Sequence, residues 1–255
     1  MNNNHVPVML NEVLSFIPKE KKINLIDATF GGGGYSRAIL KDFNIKKLIA
    51  IDRDPISKIF YEELKKDFDN IELFNQKFSK LDEFLRNCEN FIEKYDVIIF
   101  DLGVSSNQID NPERGFSFQK NGPLDMKMGS SNLNAFEVIN SFDEKKLADI
   151  FYEFGEEKYS RRIAKNIVIN RTKKPIENTL ELSEIIKKSV PIKQNFKKTH
   201  PATKTFQALR IFINDELNEL KIALEKSENL LAKNGLLIIV SFQSLEDRIV
   251  KDFFN

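Results

Sequence analysis

Four consecutive glycines, Gly31-Gly32-Gly33-Gly34, stand between an apolar run closed by an acid and a segment of helical periodicity. The run is Ile23-Asn24-Leu25-Ile26, closed by Asp27; further on, Leu48-Ile49-Ala50-Ile51 is closed by Asp52. Strand, glycine turn, helix, strand and terminal acid are the layout of a βαβ nucleotide site. Glycine adopts the positive φ of such a turn at little cost and lets the backbone approach a ligand closely. Asp27 precedes the glycines, where a dinucleotide site has glycine directly after the strand, and this tilts the reading toward S-adenosylmethionine. No Gly-Lys-Ser/Thr follows the turn, which argues against a P-loop.

The first hundred residues keep the same rhythm. Apolar runs at 23–26, 48–51, 71–74 and 97–100 predict buried strands, with helical patterns at 35–43, 55–67 and 79–92 between them. This alternation predicts an α/β fold with a parallel sheet covered on both faces. Right-handed crossovers set the first and fourth strands side by side, in the order 3-2-1-4-5, with the ligand crevice above their C-terminal ends. Asp27, the glycine turn, Asp52 and Asp101 all fall at such ends. Asp52 can accept both hydroxyls of a ribose. Phe78, after the third strand, sits where an adenine could stack; a plain core phenylalanine is the alternative. Asp101, closing Val97-Ile98-Ile99-Phe100, would face the methionine end of the cofactor and complement its ammonium or sulfonium charge. It could also accept a hydrogen bond from an exocyclic amine, localising a lone pair otherwise delocalised into the base, so that in-line transfer needs no covalent intermediate. Its alternative role is a turn or helix-capping aspartate.

Beyond Asp101 the rhythm breaks. Residues 103–134 are rich in Gly, Ser, Asn and Pro and read as a long loop. Helical patterns follow without strands: one opened by a capping box at Ser141-Phe142-Asp143-Glu144 and running to about Phe154, and others near 157–170 and 179–190, the last stopped by Pro191. Residues 109–205 are expected to form an inserted helical domain that binds substrate, with 1–108 and 206–255 as the cofactor-binding domain. A long helix near 203–232 resumes the α/β pattern; Phe206, Leu209, Ile213, Leu217, Leu220 and Leu224 keep one face apolar, and Asn234-Gly235 ends it. A fifth strand at 236–242 and a closing helix at 245–254 complete the reading.

The formal net charge is +1, so the whole chain is no polycation, but residues 151–204 carry 13 Lys and Arg against 6 Asp and Glu. Such a patch suggests a polyanionic partner. Lys158, Arg162 and Lys165 share a helix face by i, i+4, i+7 spacing, with Arg161 and Arg171-Thr172-Lys173-Lys174 nearby; they contact phosphates or are merely solvated. Arg114, Phe116 and Phe118 could clamp an extruded base, since chemistry on a base edge requires unstacking it; alternatively the two phenylalanines pin the loop. The sole cysteine, Cys88 in Leu85-Arg86-Asn87-Cys88, reads as an inert thiol, which leaves cytosine C5 methylation without its nucleophile and rules out an internal disulfide. His5 and His200 lack the companions of a metal site and read as solvated or capping. The amino terminus has no apolar signal core and no stretch is long enough to span a bilayer, so a cytoplasmic protein without a membrane partner is expected.

Several segments are more specific than the fold. They are His5-Val6-Pro7-Val8-Met9-Leu10, Asp27 to Ser36, Ala50-Ile51-Asp52-Arg53-Asp54-Pro55 and Asp101-Leu102-Gly103-Val104-Ser105-Ser106. Further along come Glu113-Arg114-Gly115-Phe116-Ser117-Phe118, Gly122-Pro123-Leu124-Asp125-Met126-Lys127-Met128 and Gly155-Glu156-Glu157. His200-Pro201-Ala202-Thr203-Lys204-Thr205-Phe206-Gln207-Ala208-Leu209-Arg210-Ile211 and Ser241-Phe242-Gln243-Ser244-Leu245-Glu246-Asp247-Arg248 complete the set. In this order, through almost the whole chain, they resemble the bacterial 16S rRNA (cytosine-N4)-methyltransferase family. The resemblance implies a Rossmann-like class I methyltransferase that methylates N4 of a cytidine, position 1402 in the usual rRNA numbering. The donor would be S-adenosylmethionine, the product S-adenosylhomocysteine and the partner 16S rRNA in the 30S subunit, with no metal; a monomer or weak homodimer is expected.

By motif, the family's cofactor contacts fall on Gly33, Gly34, Tyr35, Asp52, Phe78, Asp101 and Gln108. The family usually has histidine where this chain has Tyr35, a change that leaves the backbone contact. Its Ser-Phe-His-Ser reads Ser241-Phe242-Gln243-Ser244 here, so no acid–base role is carried over to that position. Family members also continue past Asn255 into a tail with a further strand, so the usual antiparallel edge of the sheet is expected to be missing. Two other readings compete. DNA amino-methyltransferases carry Asp/Ser-Pro-Pro-aromatic after the fourth strand, where this chain has Asp101-Leu102-Gly103-Val104. A catalytically inactive ribosome-assembly factor would keep the fold for RNA binding; the intact Asp52 and Asp101 argue against it, Gln243 and the short C-terminus for it.

Overall fold

The computed structural model describes residues 6–86, 92–191 and 199–255, so His5 and Cys88 lie outside the described residues. Along the chain run α1 (Leu10–Phe16), β1 (Ile23–Asp27), α2 (Gly34–Asp42), β2 (Ile45–Ile51), α3 (Ser57–Lys65), β3 (Ile71–Phe74), a 3-10 turn (Phe78–Lys80), α4 (Leu81–Arg86) and β4 (Tyr95–Asp101). Then follow α5 (Ser106–Asp110), α6 (Ala135–Ser141), α7 (Glu144–Gly155), α8 (Ser160–Arg171), α9 (Thr179–Ser189), α10 (Thr203–Asn214), α11 (Glu216–Leu230), β5 (Leu231–Val240) and α12 (Ser244–Phe254). They fall into two compact units, residues 1–105 with 217–255, and residues 106–216.

The first unit is built on a five-stranded parallel sheet in the order β3-β2-β1-β4-β5, as the alternation of the sequence predicts. Its strands are continuous apolar runs because helices cover both faces. Successive side chains of β4 point opposite ways: Val97 and Ile99 join Leu25, Ile39, Leu48 and Leu64 in one core. Ile98 and Phe100 join Ile26, Ile49, Leu81, Leu220 and Leu224 in the other. Each buried Leu, Ile or Phe contributes roughly 1.5–3 kcal/mol.

The end of this unit departs from the pattern reading. Helix α11 stops at Leu230 and β5 begins at once, so Asn234-Gly235 does not end the helix. Tyr95 pairs with Leu231 but Val97 with Leu236, and the intervening bulge holds Asn234 at φ 61°. The single helix expected over 203–232 is two. Asp215, left-handed at φ 53°, breaks it into α10 and α11, and an aspartate accepts that conformation more readily than most residues. The division between the units then falls after Glu216, with α10 wholly in the second.

The second unit is helical. Val138, Ile139, Leu147, Phe151, Ile163, Ile167, Leu182, Ile186 and Leu209 form its core. The capping box assigned to Ser141 is not there: Ser141 ends α6 and its hydroxyl donates to the Glu137 carbonyl. Asp143 caps α7, accepting from Lys146 N–H at 2.8 Å. A true reciprocal box, Asn134 with Glu137, opens α6 one helix earlier. Among the described residues, no helix is long and apolar enough to cross a membrane.

Candidate functional site

The turn between β1 and α2 is held open by its glycines. Gly33 caps α2 at φ 75°, and a Cβ there would lie 2.8 Å from the Phe30 ring; one on Gly34 would lie 2.6 Å from Pro7. No larger residue fits either position without displacing a neighbour. The buried Asp27 takes over the role of a helix cap, accepting from the Ser36 hydroxyl at 2.6 Å, from Thr29 N–H at 3.3 Å and from the Ser36 amide. The amides of Gly34 and Tyr35, in the first turn of α2, have no acceptor within the helix.

Three carboxylates gather at the C-terminal ends of the central strands. Asp52 accepts from Gly31 N–H at 2.6 Å and Asp54 N–H at 2.8 Å, one on each oxygen. Each oxygen keeps a further lone pair for a ligand. Asp101 donates its amide to the Thr29 hydroxyl at 2.7 Å, which ties the tip of β4 to the glycine turn. Its carboxylate Oδ1 is buried without a hydrogen-bond partner among the described residues. Burial raises Asp27 and Asp52 to about 6; it raises Asp101 to about 7, with the charges of Asp27 and Glu246 adding to the effect. A crevice with crowded, partly protonated acids favours a ligand that brings positive charge and N–H or O–H donors.

The other predicted cofactor residues of this unit have mixed surroundings. The buried Tyr35 donates its hydroxyl to the Val8 carbonyl, so its side chain is spent within the protein and its main-chain amide is what a ligand can use. Phe78 is half-buried, edge-on to Phe100 at 5.6 Å; packing fixes its ring without covering it. Glu246, which the sequence reading passed over, is 3% exposed and accepts from Phe242 N–H at 3.0 Å and from Gln243 Nε2 at 2.8 Å. Its spacing of three from Gln243 at the start of α12 was the available signal. Among the described residues no group of acids, histidines or cysteines is arranged to hold a metal.

The remaining candidates belong to the second unit. Gln108, on α5, is buried. Arg114 donates to the Lys127 carbonyl at 2.8 Å and lies over the Phe116 ring at 5.6 Å. Phe118 stacks on His200 at 4.6 Å and meets Phe206 edge-on, so packing holds its half-buried ring in place. His200 accepts from Ala202 N–H through Nδ1, a capping role. Arg162 and Lys165 are exposed on α8. Lys158 is exposed too, but it lies in the turn before α8, so the three do not share one helix face. Arg171 leaves the basic patch altogether: its guanidinium donates to the carbonyls of Ile139 and Phe142, both at 2.5 Å.

Residues 2–255 match the model of the MraW methylase family. The chain is 48% identical over 98% of its length to a protein of Ehrlichia canis named ribosomal RNA small subunit methyltransferase H, covering 84% of that protein. Proteins of the same name from Rickettsia massiliae and a Wolbachia of Drosophila simulans are each 47% identical, over 100% and 98% of this chain and 81% and 85% of theirs.

Proposed function

The chain belongs to the MraW methylase family, and from that membership and the acid-lined crevice we propose that it transfers a methyl group from S-adenosylmethionine to N4 of cytidine 1402 in 16S rRNA. The single observation that carries the reading is the buried Oδ1 of Asp101 at the tip of β4, without a hydrogen-bond partner among the described residues and in the same unit as Asp27 and Asp52. Names borne by relatives at 47–48% identity over 98–100% of the chain support the ribosomal substrate.

S-adenosylmethionine supplies, when bound, an electrophilic methyl group on a cationic sulfur. The residues of the crevice fit such a molecule. Asp52 accepts the ribose hydroxyls with the lone pairs its backbone donors leave unused. The glycine turn would admit the ligand against the main chain, beside the first-turn amides of Gly34 and Tyr35, which have no acceptor within the helix. Phe78 offers a ring face for the adenine. Asp101 counters the positive end of the donor or accepts from the amine of the cytidine; either interaction draws its pKa down from about 7. An amine held by its N–H aligns its lone pair in line, and the transfer needs no covalent enzyme intermediate.

The second unit would hold the RNA. Arg162 and Lys165 on α8, with Arg161 and the neighbouring Lys158, would contact phosphates, and Arg114 with Phe116 would steady the extruded base.

The test is to incubate the full chain with S-adenosylmethionine and 30S subunits lacking the modification, then analyse nucleosides by mass spectrometry. N4-methylcytidine from 16S rRNA is the expected product. Methylation of naked DNA but not of subunits, or subunit binding without any methylated product, would replace this reading.

A further inference from the structure

We infer that Glu219 is a specificity-determining residue of the cofactor crevice, its free carboxylate oxygen accepting the exocyclic amine of the adenine that stacks on Phe78. The inference rests on the cofactor reading above and adds the group that reads the 6-amino group of the adenine.

Glu219 is 6% exposed, in the first turns of α11. One oxygen accepts from Lys77 Nζ at 2.8 Å. The other, Oε2, is buried with no hydrogen-bond partner among the described residues. Buried carboxylate oxygens are rarely left without a donor, because the desolvation of the charged group then goes uncompensated. Such an atom marks a place where a ligand supplies the donor.

Topology sets where that place is. Helix α11 passes directly into β5, whose first residue Leu231 pairs with Tyr95 at the start of β4. The helix therefore runs back along the sheet, with its first turns toward the C-terminal ends of the strands. From Leu230 back to Glu219 is eleven residues, about 16 Å of helix. From Tyr95 to Asp101 is six residues, about 20 Å of strand. Glu219 thus stands close to the level of Phe100 and Asp101. Lys77 gives an independent fix: it adjoins Phe78, whose ring meets Phe100 edge-on, and Leu220 packs in the same core as Phe100. A carboxylate oxygen at that level, beside the residue assigned to the adenine, accepts an N–H, and the 6-amino group of adenine supplies one.

Calorimetry on the full chain tests this with two probes, S-adenosylhomocysteine and its counterpart in which the adenine 6-amino group is replaced by hydrogen. The wild-type protein should bind the adenine form about tenfold more tightly, the scale of one hydrogen bond to a charged acceptor. In Glu219→Gln the amide donates where the carboxylate accepted, and the preference should fall to within about twofold. Phe78→Leu should weaken both probes alike and leave their ratio unchanged, which a merely structural Glu219 would not separate from Glu219→Gln. A wild-type ratio near one, or a ratio that survives Glu219→Gln, overturns the inference and leaves the cofactor reading standing. If neither probe binds the wild-type protein, the cofactor reading itself falls and takes this inference with it.

Discussion

The two units handle buried polarity in opposite ways. In the sheet unit, the polar groups near the strand tips are left wanting: Asp27, Asp52 and Asp101 sit well above the usual carboxylate range, and one oxygen each of Asp101 and Glu219 has no partner among the described residues. In the helical unit the polar groups are largely satisfied. Asn134, Asp143 and Asn178 cap three helices, Asn214 bridges Met126 and Met128, and Arg171 ties α8 to the end of α6; among the described residues Thr205 Oγ1 is an exception. A buried oxygen left without a donor at a strand tip marks a place that a ligand can fill; a satisfied network marks a scaffold.

The largest expected effect follows from Asp101. Asp101→Asn keeps the shape of the side chain and removes its charge, so methyl transfer to 30S subunits should drop by about a thousandfold or more, the scale of one preorganised electrostatic contact. The same change should raise the melting temperature of the ligand-free protein at pH 8 by roughly 2 °C or more, since a buried charge is relieved. Near-wild-type turnover would remove Asp101 from the mechanism. A lowered melting point would show that its carboxylate is satisfied after all.

Next comes pH. An acid whose pKa is raised on folding binds its proton more tightly in the folded state, so the ligand-free protein loses stability as pH rises from about 4 through about 7. A cationic ligand has the opposite preference, for the ionised crevice. The Kd for S-adenosylmethionine should therefore rise about tenfold from pH 8 to pH 6, as Asp101 takes up its proton. Asp101→Asn should flatten that dependence. A flat profile in the wild-type chain would mean that Asp101 does not titrate against the ligand.

Strand order and the acids at the strand tips were legible because a sheet buried on both faces leaves apolar runs, and those of β1, β2 and β4 each close on an acid. What escaped was whatever depends on distant residues or on a single backbone angle. Glu219 meets Lys77 across 142 positions, and no local pattern announces such a pair. The break at Asp215 hides because the apolar stripes of α10 and α11 continue in phase across it. Lys158 reads as helical by spacing, but Glu156 turns left-handed at φ 48° and α8 starts only at Ser160. Arg171 reads as one more surface cation, although its donors are committed to two carbonyls.

That last distinction sharpens the comparison on the RNA side. Replacing Arg162 and Lys165 with alanine should make the salt dependence of 16S rRNA binding shallower by about 1.4, two contacts at roughly 0.7 each. Over a fourfold change in salt this is a factor of about seven. Arg171→Ala should act differently, lowering the melting temperature while the salt slope holds. Should the double variant keep its slope, α8 is ordinary solvated surface.

The smallest effect tests whether the helical unit is the scaffold its satisfied network suggests. Asn134→Ala removes one half of the reciprocal cap on α6, leaving Glu137 N–H without its acceptor and Glu137 without a fixed partner geometry. Losing such a cap costs about 1 kcal/mol, which lowers the melting temperature of a chain this size by about 2–4 °C. No carboxylate of the sheet unit changes, so calorimetry should return the wild-type affinity for S-adenosylmethionine, with the same pH dependence. If the cofactor affinity instead falls by as much as the stability, about fivefold, the order of α6 and the crevice are coupled, and the helical unit then does more than hold its own helices in place.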